Sequence, residues 1–266
     1  MTADIDETID WQGNQIECGT CPHRNLRTAG LCALKHACVR DRYARRIVRF
    51  FTQNPALAND YLAHPYFEVR AIAAKSADVF HLPPMLADPD ETVRWSAVLR
   101  LPRRYLLLLR ADPHRDVRIR VASLLEGAEL SPMLRDHDYS VRIMVARRAP
   151  AGMLPALIGD EEAEVRRVVA SRIEGDGLYV MAADEDAEVR LAAVRRLGDG
   201  ELRKFRADPD WRVRYEAARR LPPGELLDMA GDPDEIVRDF VAQRIAREGP
   251  AIAGSNVVPF KANGRH

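Results

Sequence analysis

The sequence predicts an all-α solenoid of eight 24-residue repeats, in which an α-helix alternates with a short tight helical turn, closed at its N-terminal end by a small metal-binding domain. Three observations predict it. The dipeptide Val-Arg recurs at an unbroken spacing of 24, at Val69-Arg70, Val93-Arg94, Val117-Arg118, Val141-Arg142, Val165-Arg166, Val189-Arg190, Val213-Arg214 and Val237-Arg238. A fixed period of this length marks units too small to bury their own apolar faces, which therefore stack on their neighbours. Aspartate and proline punctuate each unit at constant positions, and four cysteines lie together outside the repeats, between Cys18 and Cys38.

From the N-terminus, the chain divides into an acidic segment at 1–17, a four-cysteine domain at 18–60, the repeats at 61–249 and a Gly- and Pro-containing tail at 250–266, with Val257, Val258 and Phe260. The first segment carries Asp4, Asp6, Glu7, Asp10 and Glu17 and no positive side chain. The sign then reverses, with Arg24, Arg27, Lys35, Arg40, Arg42, Arg45, Arg46 and Arg49 against Asp41 alone. Over the whole chain 40 basic residues balance 40 acidic ones, so no global field draws the protein to nucleic acid or a membrane. Neither a secretory n-region nor an apolar run of about 18 residues is present, and the expected location is cytoplasmic. In that reducing compartment clustered cysteines serve as metal ligands more readily than as disulfides.

The cysteine pattern is Cys18-x2-Cys21-x10-Cys32-x5-Cys38, with Gly19, Pro22 and Gly30 breaking the chain so that it folds back. Structural zinc favours paired ligands two to four residues apart, which only the first pair here obeys. Iron–sulfur clusters tolerate irregular gaps, because their ligands bind different iron atoms. Spacing leaves both centres open and leans slightly to the cluster. His23 and His36 stand nearby, as alternative ligands, as outer donors or, more ordinarily, as polar surface. A helix from Arg40 to Phe51 is expected next, with Tyr43, Ile47, Phe50 and Phe51 facing the first repeat.

Seven of the eight repeats open on an aspartate five residues before the valine, at Asp88, Asp112, Asp136, Asp160, Asp184, Asp208 and Asp232, where a carboxylate can cap free backbone donors. Pro89, Pro113, Pro209 and Pro233 follow, reading as the first helical position. The apolar stripe then runs through the valine and the residues four and eight later, such as Val93, Ala97 and Leu101, beside a row of small residues five after the valine. Helices this short are marginal alone and need their neighbours. Pro102, Pro150 and Pro222 end or follow the helix, leaving stretches such as Arg103 to Arg110, too short for a second full helix and two turns. A tight 3₁₀-like turn is the economical reading.

On the 24-residue period, the Val-Arg phase and the cysteine segment, the chain resembles the leucine-rich repeat variant family. The resemblance implies a right-handed superhelix of alternating α and 3₁₀ helices without strands. It further implies an N-terminal domain holding a 4Fe-4S cluster, with Cys18, Cys21, Cys32 and Cys38 as its ligands, and occurrence beside bacterial nitrogen-fixation genes. Two departures show: His64 stands where the first unit should have its aspartate, and Leu124 stands where other units place arginine.

The arginine after each valine would form a ladder along the stack. Asp90, Asp138, Glu162, Asp186, Asp210 and Asp234 lie four residues before these arginines, in the favourable order for a helix pair, so the ladder is expected to be structural. A second basic row, Arg147, Arg148, Arg172, Arg195, Arg196, Arg219, Arg220 and Arg244, lacks such acids for the most part. It either complements helix C-termini or presents a strip to an acidic protein or a phosphate backbone, and it is the candidate partner-binding surface. Aromatic side chains for stacking on bases are sparse there.

No Gly-rich phosphate loop, nucleophile elbow or Ser-His-acid grouping appears, so no enzyme is expected. The expectation is a non-enzymatic protein coupling an iron–sulfur cluster to a scaffold that binds a macromolecule. The partner would be a protein, acidic or redox-active, with no membrane involved. The alternatives are a nucleic-acid-binding solenoid using the arginine strip and a zinc-capped interaction scaffold.

Overall fold

The computed structural model describes residues 7–248. The tail at 250–266 and the acids Asp4 and Asp6 lie outside the described residues. The chain forms two compact units, Met1–Leu125 and Glu126–His266. The first contains α1 (Arg24–Thr28), α2 (Ala44–Gln53), α3 (Phe67–Ala74), α4 (Glu91–Val98), α5 (Arg103–Leu106) and α6 (Arg115–Leu124). The second contains α7 (Tyr139–Arg148), α8 (Ala163–Ala170), α9 (Asp176–Met181), α10 (Ala187–Val194), α11 (Trp211–Arg220) and α12 (Glu235–Glu248). Isolated bridges such as Ile9 to Gln15 are the only extended pairings among the described residues, and no described helix is long and apolar enough to cross a membrane.

The second half of most repeats is 3₁₀, as at Pro83–Ala87, Gly127–Met133, Ala151–Leu157 and Asp199–Phe205. Two units differ, because α5 makes one α-turn before its 3₁₀ segment at Leu107–Ala111 and α9 is α-helical throughout. Both remain about one to two turns long, as the space between successive aspartates requires. Within each unit consecutive repeat helices pack directly, α3 on α4 and α8 between α7 and α10. The valine and the residue four later fill the contact: Val93 and Ala97, Val141 and Val145, and Val189 and Ala193 are all fully buried. From the second halves Leu130, Leu154, Leu202 and Leu226 are fully buried as well.

The helix starts differ from the expected ones. The cap stands two residues after the opening aspartate, so that Asp90 accepts from the Thr92 N–H, Asp186 from those of Glu188 and Val189, and Asp210 from that of Arg212, while His114 and Glu162 at the same position cap with no side-chain bond. The capping aspartates have extended backbone, which aims the carboxylate at the first-turn donors and away from the helix face where the arginine four residues later stands. The expected pairing of Asp90, Asp186 and Asp210 with those arginines is therefore not made. Proline precedes the cap and does not occupy the first helical position.

The first aspartate has a different task. Asp88 receives both Arg70 N–H groups, from Nε at 2.7 Å and Nη2 at 2.8 Å. The same fork joins Arg94 to Asp112, Arg142 to Asp160, Arg166 to Asp184, Arg190 to Asp208 and Arg214 to Asp232. Each arginine also donates through Nη1 to the backbone that opens its own repeat, as Arg94 does to the Asp88 carbonyl at 2.8 Å. One guanidinium thus ties the start of its own helix to the start of the next, in the bidentate geometry that a carboxylate matches best. The expected structural role of the ladder is met, with a partner 18 residues ahead in place of one four behind.

Candidate metal centre

The cysteine segment is built on turns. Gly30 has a φ of +75° and Lys35 one of +62°, and between them Cys32 leads into a tight loop closed by the pairing of Ala33 with Ala37. Cys38 follows that loop, its N–H donating to the Arg46 carbonyl and its carbonyl accepting from the Asp41 N–H. On the other side Cys18 and Cys21 enclose one turn that leads into α1, which is capped by no side chain. The helix expected from Arg40 begins at Ala44, because the Asp41 carboxylate holds the Tyr43 N–H in a preceding turn. Tyr43 therefore caps the helix, while Ile47, Phe50 and Phe51 are fully buried as anticipated.

All four cysteines are free of disulfides, Cys32 and Cys38 buried and Cys18 and Cys21 half-buried. The fold brings them near one another. Burial pushes the Cys32 thiol up, and the neighbouring Cys21 and Cys18 push it further, against a hydrogen bond with Cys38 and the nearby Arg27. Burial, with lesser contributions from Cys32, Asp41 and Cys21, takes Cys38 up to about 12. Thiols gathered so closely are poor company as bare thiolates and a suitable donor set for a cationic centre. Among the described residues no three His, Cys, Asp or Glu side chains surround one point as ligands of a single ion would.

The wall of the site is aromatic. His23 Nε2 hydrogen-bonds the Tyr61 hydroxyl, and Phe50 and Phe51 pack edge-on around the Tyr61 ring at 6.4 and 5.5 Å. Burial, with Cys21 and Cys38 beside it, raises Tyr61 to about 12. Nothing in the sequence singled out Tyr61, since its approach to the cysteines depends on the 3₁₀ segment Pro55–Tyr61 returning over α2. His36 is exposed. The basic run is split: Arg46 is buried against Asp41 and the Glu7 carbonyl, Arg42 pairs with Glu7, and Arg27 is the cation that acts on Cys32.

The candidate partner strip divides into two rows. Arg172, Arg196, Arg220 and Arg244 donate to carbonyls at the end of the preceding repeat's helix, as Arg196 does to Ala170 at 2.8 Å and Arg220 to Leu197 at 2.6 Å. Arg148 lies 3.9 Å from Glu126. Arg172, Arg196, Arg220 and Arg244 thus complement a helix C-terminus, of the neighbour and not their own. Arg147, Arg195 and Arg219, one residue earlier in the unit, are exposed.

Comparison with known proteins agrees with this anatomy. Residues 8–60 match the family described as LRV protein FeS4 cluster, and residues 139–162 match Leucine rich repeat variant. An uncharacterized 27.7 kDa protein in the nifB 3′ region of Rhodobacter capsulatus is 54% identical over 96 residues, which span 36% of this chain and 39% of that protein. A solved structure described as a leucine-rich repeat variant with a novel repetitive protein structural motif superposes with a TM-score of 0.81 at 40% identity, over 86% of this chain and 98% of that one. The repeat scaffold and the FeS4 cluster domain therefore occur together here, and the chain belongs to the leucine-rich repeat variant family.

Proposed function

We propose that this chain is a non-enzymatic iron–sulfur protein in which a 4Fe-4S cluster, held by Cys18, Cys21, Cys32 and Cys38, is joined to a repeat scaffold that binds another protein. The observation that carries this reading is the gathering of four free thiols, two of them buried, against the core of the first repeat. Thiolates of a cubic cluster bind separate iron atoms and stand around a volume, whereas a closed zinc site draws four sulfurs to about 2.3 Å from one point. The irregular gaps of two, ten and five residues between these cysteines support the cluster. Bound there, a cluster supplies one-electron chemistry or a rigid cross-link.

This chain's residues would do the rest. Arg27 offsets negative charge at the sulfurs, Phe50 and Phe51 exclude water from one side, and Tyr61 is held in place by His23. A nearby cation stabilises the more negative reduced state of such a centre and raises its reduction potential, whereas exclusion of water disfavours that state and lowers it. The gene position recorded for the Rhodobacter capsulatus relative supports a metallocluster setting. Purification without oxygen, followed by iron, acid-labile sulfide and zinc assays and visible absorption, tests the proposal. Brown protein with equal iron and sulfide is expected, and colourless protein with one zinc and no sulfide would refute it.

A further inference from the structure

In the second unit the exposed faces of α7, α8 and α10 enclose a groove of about 370 Å³. Its lining includes Arg147, Arg167 and Arg195 together with the apolar Val168 and Ala192. Most arginines of this unit are committed, the ladder to aspartates and the inner row to carbonyls. These three are not. Arg147 and Arg167 make no side-chain hydrogen bond or ion pair among the described residues, and Arg195 approaches only Glu216, at 3.9 Å. Glu216 itself is held by Arg219 at 2.7 Å. The groove's own carboxylate, Glu188, is drawn aside by Arg212.

A row of helix C-termini ordinarily repels anions, because its free carbonyls carry partial negative charge. Here Arg172 and Arg196 satisfy those carbonyls at Ala146, Ala170 and Ile173, so the outer arginines face solvent over a neutralised edge. Arg147 and Arg195 stand two repeats apart, roughly 20 Å at ordinary helix spacing, which an extended chain of about six residues spans. Arg167 lies on the repeat between them. On the far side of Arg167, Glu164 and Asp186 border a second hollow and would repel an anionic chain, confining it to the C-terminal side.

The geometry points to this groove as the seat of an extended acidic segment of a partner protein, its carboxylates on Arg147, Arg167 and Arg195 and a small apolar side chain over Val168 and Ala192. The assignment rests on the proposal that the scaffold binds protein, and it is independent of which metal fills the N-terminal domain. Arg167, absent from the basic row read in the sequence, becomes its central contact.

Fluorescence anisotropy of the full, anaerobically purified chain with a fluorescein-labelled peptide of three Glu-Ala-Val units tests it. Exposed ion pairs contribute modestly each, so R147A, R167A and R195A together should weaken binding about tenfold. R219A, whose arginine already has Glu216, should change it less than about twofold. Melting curves matching the parent chain confirm that the triple variant is folded, and the single charge reversal R167E gives a second reading at an exposed position. Equal weakening by R219A, equal binding of a peptide of three Lys-Ala-Val units, or stronger binding of a short oligouridylate would each overturn the assignment, the last in favour of nucleic acid. Iron-loaded protein that ignores the acidic peptide sinks the groove alone. Colourless zinc protein that binds it sinks the cluster alone.

Discussion

A single aspartate shows how much of this molecule rests on one ion pair per repeat. Asp232 and Arg214 are both buried and share two hydrogen bonds of 2.7 and 2.8 Å, and Asp232 also accepts from the Asp234 N–H. Replacing Asp232 with Asn keeps the shape and leaves a buried guanidinium without a counter-charge, at a cost of about 3 kcal/mol, measurable by denaturant unfolding. The pair also sets an acid limit. Burial alone would push the Asp232 carboxyl up, but the Arg214 guanidinium and the Asp234 N–H outweigh it and hold the group below its ordinary 3.8, as Arg70 does for Asp88 and Arg166 for Asp184. A carboxylate whose value is lower in the folded chain contributes stability that is complete above its unfolded value and is lost as pH falls through the folded one. Thermal midpoints should therefore stay level from about pH 7 to about pH 5 and drop below about pH 4, and D232N should show a shallower drop. An equal decline in the variant would show that the ladder does not set the acid limit.

At the scale of the helix, the two aspartates of Asp-Pro-Asp differ in kind although the sequence writes them alike. Asp90 caps α4 through the Thr92 N–H, so D90A should cost about 1 kcal/mol. Asp88 takes the Arg70 fork and the Asp90 N–H, so D88A should cost about 2 kcal/mol or more on the same unfolding assay. The reverse order would restore the first aspartate as the cap. Spacing could not separate them, because both acids stand just ahead of a helix and a pairing four residues along is the familiar one. The repeat itself held the missing signal, since a period of 24 sets the first aspartate of one unit beside the arginine of the unit before. The α9 departure was written less plainly. Gly175 takes a φ of +60° ahead of α9, a conformation that side chains disfavour, and G175A should lower stability by about 1 kcal/mol without altering the ladder.

For the molecule as a whole, the period made the repeats legible and the cysteine count announced a centre, but the gathering of the thiols depends on contacts that no spacing encodes. Ile47, Phe50 and Phe51 on α2 face the cysteine segment and the first repeat at once, in one core with Cys32, Val39, Val69 and Ala73. Tyr61 reaches the same core from the segment after α2. A domain of some 50 residues with so small an apolar interior gains much of its folding energy from bound metal. Removing the metal should therefore loosen α2, the Pro55–Tyr61 segment and α3, which share side chains with the site. Stacked repeats open from an uncovered end, and α8, α10 and α11 pack within the other unit, each on its own neighbours. Hydrogen exchange on chelated protein, and on the C38S variant, is expected to show protection falling about tenfold or more in α2 and α3 and holding in α8, α10 and α11. Unchanged protection in α2 and α3 would mean that the centre does not brace the first repeat, while loss of protection throughout would mean that the repeats fold as one block and the metal secures them all.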